Sequence, residues 1–197
     1  MQSHDRAVRH GRTTSDAQRV LTMPNLADIT EQADLRRLFG LFPTGVTALG
    51  AMEDGRPVGM TASAFVAVSL NPPLVSVCIK RGSWTWRRLR ACPRIGISFL
   101  GDSHAVAARQ LAQTGDNRFS GLDYQVGAEG ALFLAGAPAW LDCSVEKEVE
   151  AGDHDIVLFR LHRAAAAEGI SPLIFHSSTF HTLSPIARSL TPLCPAE

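Results

Sequence analysis

The chain has 197 residues, 19 basic against 19 acidic side chains, and 45% hydrophobic residues. Balanced charge provides no electrostatic hold on nucleic acid or an anionic membrane, and this apolar fraction excludes a disordered chain. No apolar run is long enough to span a bilayer, and the N-terminal residues lack the apolar stretch of a secretory signal, so a cytoplasmic protein with one main domain is expected.

Residues 1–25 are polar and rich in Arg, Ser and Thr, which predicts a disordered N-terminal arm before a folded body over 26–183. The body opens with DITEQADLRRLFGLF. Leu35, Leu38 and Phe39 recur there at helical spacing, an amphipathic helix that Gly40 or Pro43 ends. Two strand-like runs then flank Asp54-Gly55, a hairpin signal. AFVAVS alternates, PPLVSVCI is a rich β run, and RIGISFL is another strand. HAVAARQLA reads as a helix. WLDCSVEKEVEAGDHDIVLFRLHRAAAAE reads as two long strands around Gly152, and PLIFH closes the set. The tail over 184–197 carries three prolines and predicts poor order. Six to eight mostly antiparallel strands with two or three helices predict a mainly β fold, a closed or partly closed barrel.

The four cysteines form no C-x-x-C pair and the seven histidines are scattered, so free thiols and no metal are expected. No G-x-G-x-x-G, G-x-S-x-G or P-loop is present, which removes the Rossmann, hydrolase-elbow and Walker chemistries.

Three stretches carry candidate chemistry. In KRGSWTWRRLRACP a strand end is followed by Lys80, Ser83 and Thr85, with Ser83 placed to cap a short helix that Pro93 stops. Hydroxyls and an ammonium beside free backbone N–H groups fit a phosphate, or simply an ordinary capped helix with solvated charges. In GMTASAF, Thr61, Ala62 and Ser63 stand where a sheet normally places bulk. They either admit a planar ligand to the backbone or fill a barrel corner. In AGDHDIVLF, His154 lies between Asp153 and Asp155, either at a polar hairpin tip or at a barrel mouth, where the carboxylates would favour its protonated form.

The ordered series FPTGVTALGA, DGRPVGMTASAFVAVSLNPPLVSVCIKRGSWTW, NRFSGLDY, APAWLDCSVEKEVEAGDHDIVLFRL and PLIFHSSTFHTL resembles the flavin reductase-like family. These are short-chain NAD(P)H:flavin oxidoreductases that include the reductase components of two-component flavin monooxygenases. The resemblance runs from about Leu35 to Leu183. It implies an FMN-binding split β-barrel, a homodimer with flavin near the subunit interface, FMN or FAD as flavin, and NADH or NADPH as reductant. It also implies a separate flavin-dependent monooxygenase that receives the reduced flavin. Position by position, it places Thr44, Gly45, Thr61, Ala62, Ser63 and Ser69 against the flavin, and Lys80, Ser83 and Thr85 at its phosphate. His154 falls at the nicotinamide position and Phe180 at a C-terminal aromatic near the site. Ser98 stands where the family often has Asn, and Ser178-Thr179-Phe180 replaces Gly-Arg-Tyr. Two other functions fit the same barrel: an oxidase of the pyridoxamine-phosphate type, and a non-enzymatic flavin or haem carrier. Neither would consume NADH.

Overall fold

The computed structural model describes residues 26–28 and 30–185. The arm expected over 1–25 lies outside these residues, and the tail is described only at 184 and 185. A helix, α1 (Gln32–Gly40), precedes strands β1 (Thr44–Gly45), β2 (Thr47–Glu53), β3 (Arg56–Ala62), β4 (Phe65–Leu70) and β5 (Pro73–Lys80). Then come α2 (Trp84–Leu89), β6 (Ile95–Phe99), α3 (Ala105–Ala112), β7 (Tyr124–Val126) and β8 (Leu132–Leu134). The long pair β9 (Ala139–Ala151) and β10 (His154–Ala166) is followed by β11 (Ile174–His176) and β12 (Thr179–His181).

Seven strands form one antiparallel sheet in the order β3-β2-β6-β9-β10-β5-β4. Its two margins, β3 and β4, are consecutive in the chain, with only Ser63 and Ala64 between them. The sheet must therefore curl until its margins meet, which makes a barrel split along the β3/β4 seam. The Ala64 carbonyl accepts from the Cys78 N–H at 3.3 Å, and the Thr47 hydroxyl donates to the Ala62 carbonyl at 2.9 Å. These bonds pin the seam on both sides.

The β2–β3 hairpin turns at Asp54-Gly55, both at positive φ (49° and 75°), the tight turn the sequence signals. The strand count exceeds the expected six to eight. The strand expected in PLIFH is β11, and the excess is β1, β7, β8 and β12, each two or three residues long, too short to carry a periodicity.

The core has two parts because β2 is buried on both faces. Leu49 and Ala51 point into the barrel with Val77, Ile97, Val157 and Phe159. Val46 and Ala48 point outward, under α3 and the β7–β8 hairpin, with Leu111, Phe119 and Leu132. This alternation is the period of a strand. Complete burial of a side chain such as Leu49 or Phe159 contributes about 1.5–3 kcal/mol. Close approach of the hairpin depends on Gly96, where a Cβ would stand 2.1 Å from the Leu132 carbonyl oxygen. Ser98, fully buried on the same strand, accepts from the Leu134 N–H at 3.0 Å. Here the residue that departs from the family pattern fastens a strand.

The helix α1 has the amphipathic spacing expected of it, yet none of its residues is buried. Leu38 is 48% and Phe39 68% exposed, and Leu41 and Phe42 after it are 60% and 74% exposed. Its C-terminal Gly40 carbonyl accepts from the Ser177 N–H at 2.8 Å, in the β11–β12 turn.

Candidate active site at the barrel seam

A cleft of about 530 Å³ opens at the seam. Its floor is the end of β3 and the linking residues: Thr61, Ala62, Ser63 and Ala64 all line it. Because β3 is a sheet margin, half of its backbone N–H and C=O groups have no strand beside them. Small side chains here expose those groups to a ligand's edge. β3 ends at Ala62, so Ser63 does not continue the strand's alternation. It stands in the crossover between the two margins.

One wall is basic. Lys80, last in β5, is the register partner of His154, first in β10. Directly opposed residues of an antiparallel pair share a face, so both side chains reach the cleft. His154 Nδ1 and the Asp153 carboxylate are 2.8 Å apart. That bond holds the Asp153 carboxyl below the usual carboxylate range. It leaves Nε2 as the ring nitrogen available to a ligand. Asp155, the other flanking carboxylate, faces Arg81 at 3.7 Å.

The opposite wall comes from α3 and the β11–β12 hairpin. Arg109 lies over the Phe180 ring, 5.3 Å from its centroid, and Phe175 packs at 5.4 Å against the same ring. Ser177 and Ser178 hold the hairpin turn at positive φ (48° and 63°), a strained conformation for non-glycine residues. Ser178 lines the cleft. Lys80, Arg109 and His154 line the cleft with no carboxylate among the lining residues. The arrangement fits a planar, phosphate-bearing ligand.

The remaining expected residues are spread around this cleft. Thr44 and Gly45 line an adjoining apolar hollow of about 330 Å³, which shares Val46 and Ser63 with it. Ser69 lies in β4 and lines neither space. The Ser83 hydroxyl accepts from the Trp86 N–H at 3.2 Å and caps α2. Thr85 is buried and lines a third cleft, of about 230 Å³, with Arg88, Arg118 and Gly59. The structure therefore does not gather Lys80, Ser83 and Thr85 around one point.

Arg109 and Arg118 are absent from the sequence-based candidates. Arg109 is the one charge in the helix AVAARQLA. Arg118 stands in the NRFSG stretch, donates to the Gly59 carbonyl at 3.2 Å, and keeps a buried Nε without a partner. Burial depresses its pKa. A half-buried guanidinium with a buried, unpaired Nε–H, in a cleft shared with buried Thr85, is a place where an anion would be stabilised. A phosphate-bearing cofactor therefore fits these residues.

Among the described residues, no three His, Cys, Asp or Glu side chains lie close enough to hold a metal ion, and no helix is long and apolar enough to cross a membrane.

The chain matches the flavin reductase like domain over residues 39–184. It belongs to that family. The crystal structure of a Streptomyces globisporus NADH:FAD oxidoreductase, in complex with NAD and FAD fragments, superposes with a TM-score of 0.77. The two are 36% identical, and the match covers 83% of this chain and 99% of that one. The styrene monooxygenase flavin reductase of Pseudomonas putida S12 superposes with a TM-score of 0.69 at 32% identity, over 77% of this chain and 97% of that one. A probable flavin reductase of Rhizobium meliloti is 34% identical over 136 residues, which is 68% of this chain but 44% of that longer protein.

Proposed function

We propose that this chain is a flavin reductase: it takes hydride from a reduced nicotinamide dinucleotide, passes it to flavin, and supplies the reduced flavin to a separate monooxygenase. The observation that carries this reading is the seam cleft. There the free edge of β3, three basic side chains and an aromatic hairpin surround a slot floored by small residues.

When bound, the flavin ring supplies the hydride-accepting centre. The chain's own contribution is orientation. Unpaired backbone groups of Thr61–Ser63 read the ring edge and stabilise negative charge developing there. Neutral His154, with Nδ1–H donating to Asp153, accepts an amide N–H at Nε2. Protonated, it donates from Nε2 to a carbonyl or phosphate oxygen. Arg109 and Lys80 hold phosphate charge. Phe180 closes the aromatic side. No general base is required, because the transfer leaves no proton for the protein to remove.

The working form is a homodimer. The unburied Leu38, Phe39 and Phe42, with Val66, Val68 and Leu70 on the margin strand β4, are 48–96% exposed. A lone monomer rarely leaves so much apolar surface in water.

The test is to mix the purified protein with NADH and FMN or FAD in air and follow the nicotinamide absorbance. A reductase consumes NADH continuously, because oxygen regenerates the oxidised flavin. An amine oxidase or a flavin carrier leaves the absorbance flat, and that result rejects the proposal.

A further inference from the structure

The cleft lined by Thr85 does not end there. It runs outward into a second space of about 550 Å³, and the two share Pro57, Trp84, Arg88, Asp116 and Phe119. They form one groove. Its inner end is anion-seeking: Thr85 is buried, and Arg118 keeps a buried, unpartnered Nε. Its outer end reaches solvent. Trp84 is 68% exposed there, beside Arg56, Asn117 and Tyr124. A large indole left in solvent within a groove is an unfilled stacking surface.

Charge points the same way. Arg56, Arg88 and Arg118 line the groove against one carboxylate, Asp116. Arg88 is already paired, at 2.5 Å with Glu53 and 3.3 Å with Asp116. Arg56 and Arg118 have no carboxylate partner within 4.0 Å among the described residues. A phosphate at one end and a planar base at the other describe an adenylate.

The groove also continues the seam cleft. Thr61 and Ala62 line the cleft, and Pro57, Val58 and Gly59 line the groove, on the same strand β3. Three residues of strand separate them by roughly 10 Å. A ligand whose ring lies over the end of β3 would reach the groove through a linking chain that ends in phosphate. We infer that the groove seats the adenylate half of FAD, so that this chain prefers FAD to FMN. The inference rests on the flavin reading of the seam cleft. The adenylate of NADH has the same chemistry, but its nicotinamide would be held at His154, which lines the seam cleft and not the groove.

Dissociation constants of the full-length protein for FAD, FMN and riboflavin test this, read by quenching of flavin fluorescence. In the wild type FAD binds about tenfold or more tightly than FMN. In Trp84→Ala the ratio of the two constants falls to near one. Arg56→Gln moves it in the same direction. Both side chains are exposed, so neither change threatens folding, and far-ultraviolet circular dichroism verifies this. Equal affinities in the wild type, or a ratio unchanged in Trp84→Ala, overturn the inference while leaving the flavin reading intact. A rise in KM for NADH in Trp84→Ala with riboflavin as acceptor assigns the groove to the nicotinamide dinucleotide and also overturns it. Failure of the wild type to bind any flavin instead overturns the reading on which the inference rests.

Discussion

His154 and Asp153 show how one contact separates two roles. The carboxylate holds one imidazole nitrogen at 2.8 Å and leaves the other to the cleft. His154→Ala is therefore expected to lower kcat/KM for NADH ten- to a hundredfold, about 1.4–2.7 kcal/mol, with the flavin dissociation constant nearly unchanged. Release of flavin with intact NADH kinetics would make His154 a flavin residue instead. Thr85 lies in the neighbouring groove, where a phosphate role is proposed for it. Thr85→Ala removes a hydroxyl beside Arg118 and is expected to weaken FMN by about 1.5–3 kcal/mol, roughly ten- to a hundredfold, while riboflavin, lacking phosphate, is spared. Equal loss for both flavins would reduce Thr85 to a packing residue. Cys143 is a buried thiol raised from 9.0 to about 12, with burial as the main cause. Its folded value lies above its unfolded one. The stability it contributes is therefore complete below pH 9 and is lost as the pH rises toward 12. At pH 8 iodoacetamide should modify the exposed Cys78 and spare Cys143 until the protein unfolds. Rapid labelling of Cys143 in the native state would contradict its place in the core.

At the level of elements, the β7–β8 hairpin holds the outer core together. It rests on β6 through the bare backbone of Gly96 and the Ser98 hydroxyl. In Gly96→Ala the new methyl meets a backbone oxygen, which cannot swing aside as a flexible side chain can. A destabilisation of at least about 1–3 kcal/mol is expected, seen as a lowered Tm. An unchanged Tm would mean that the hairpin shifts freely. The β2–β3 turn and the long β9–β10 pair were legible from Asp54-Gly55 and Gly152, because tight turns demand particular residues. Of the short strands only β11, inside PLIFH, was. Two or three residues define no period, and only their partners make them strands.

For the whole molecule, the decisive question is what covers the exposed apolar residues. The spacing of α1 identified a helix with an apolar face, and the fold leaves that face unburied. The proposed second copy of the chain would cover it. Light scattering at micromolar concentration should return a dimeric mass. Phe42→Asp combined with Leu70→Asp should shift it to the monomer and weaken flavin binding. A fully active monomer would reject the dimer.

Residue order alone determined the barrel class, the two principal hairpins and the run of small residues at Thr61–Ser63, which it left open between a ligand floor and a barrel corner. Each rests on local chemistry: alternation, turn residues, and a run of small side chains in a β context. The family resemblance in the sequence also pointed to His154 and Phe180. Only the tertiary structure decided which residues share a space. It joined Lys80 to His154 across the β5–β10 register and placed Arg109 over Phe180. It also moved Thr85 away from Lys80 into a groove with Arg118. Those neighbours lie tens of residues apart along the chain. Their meeting is set by sheet curvature and by the seam between β3 and β4, which no local pattern encodes.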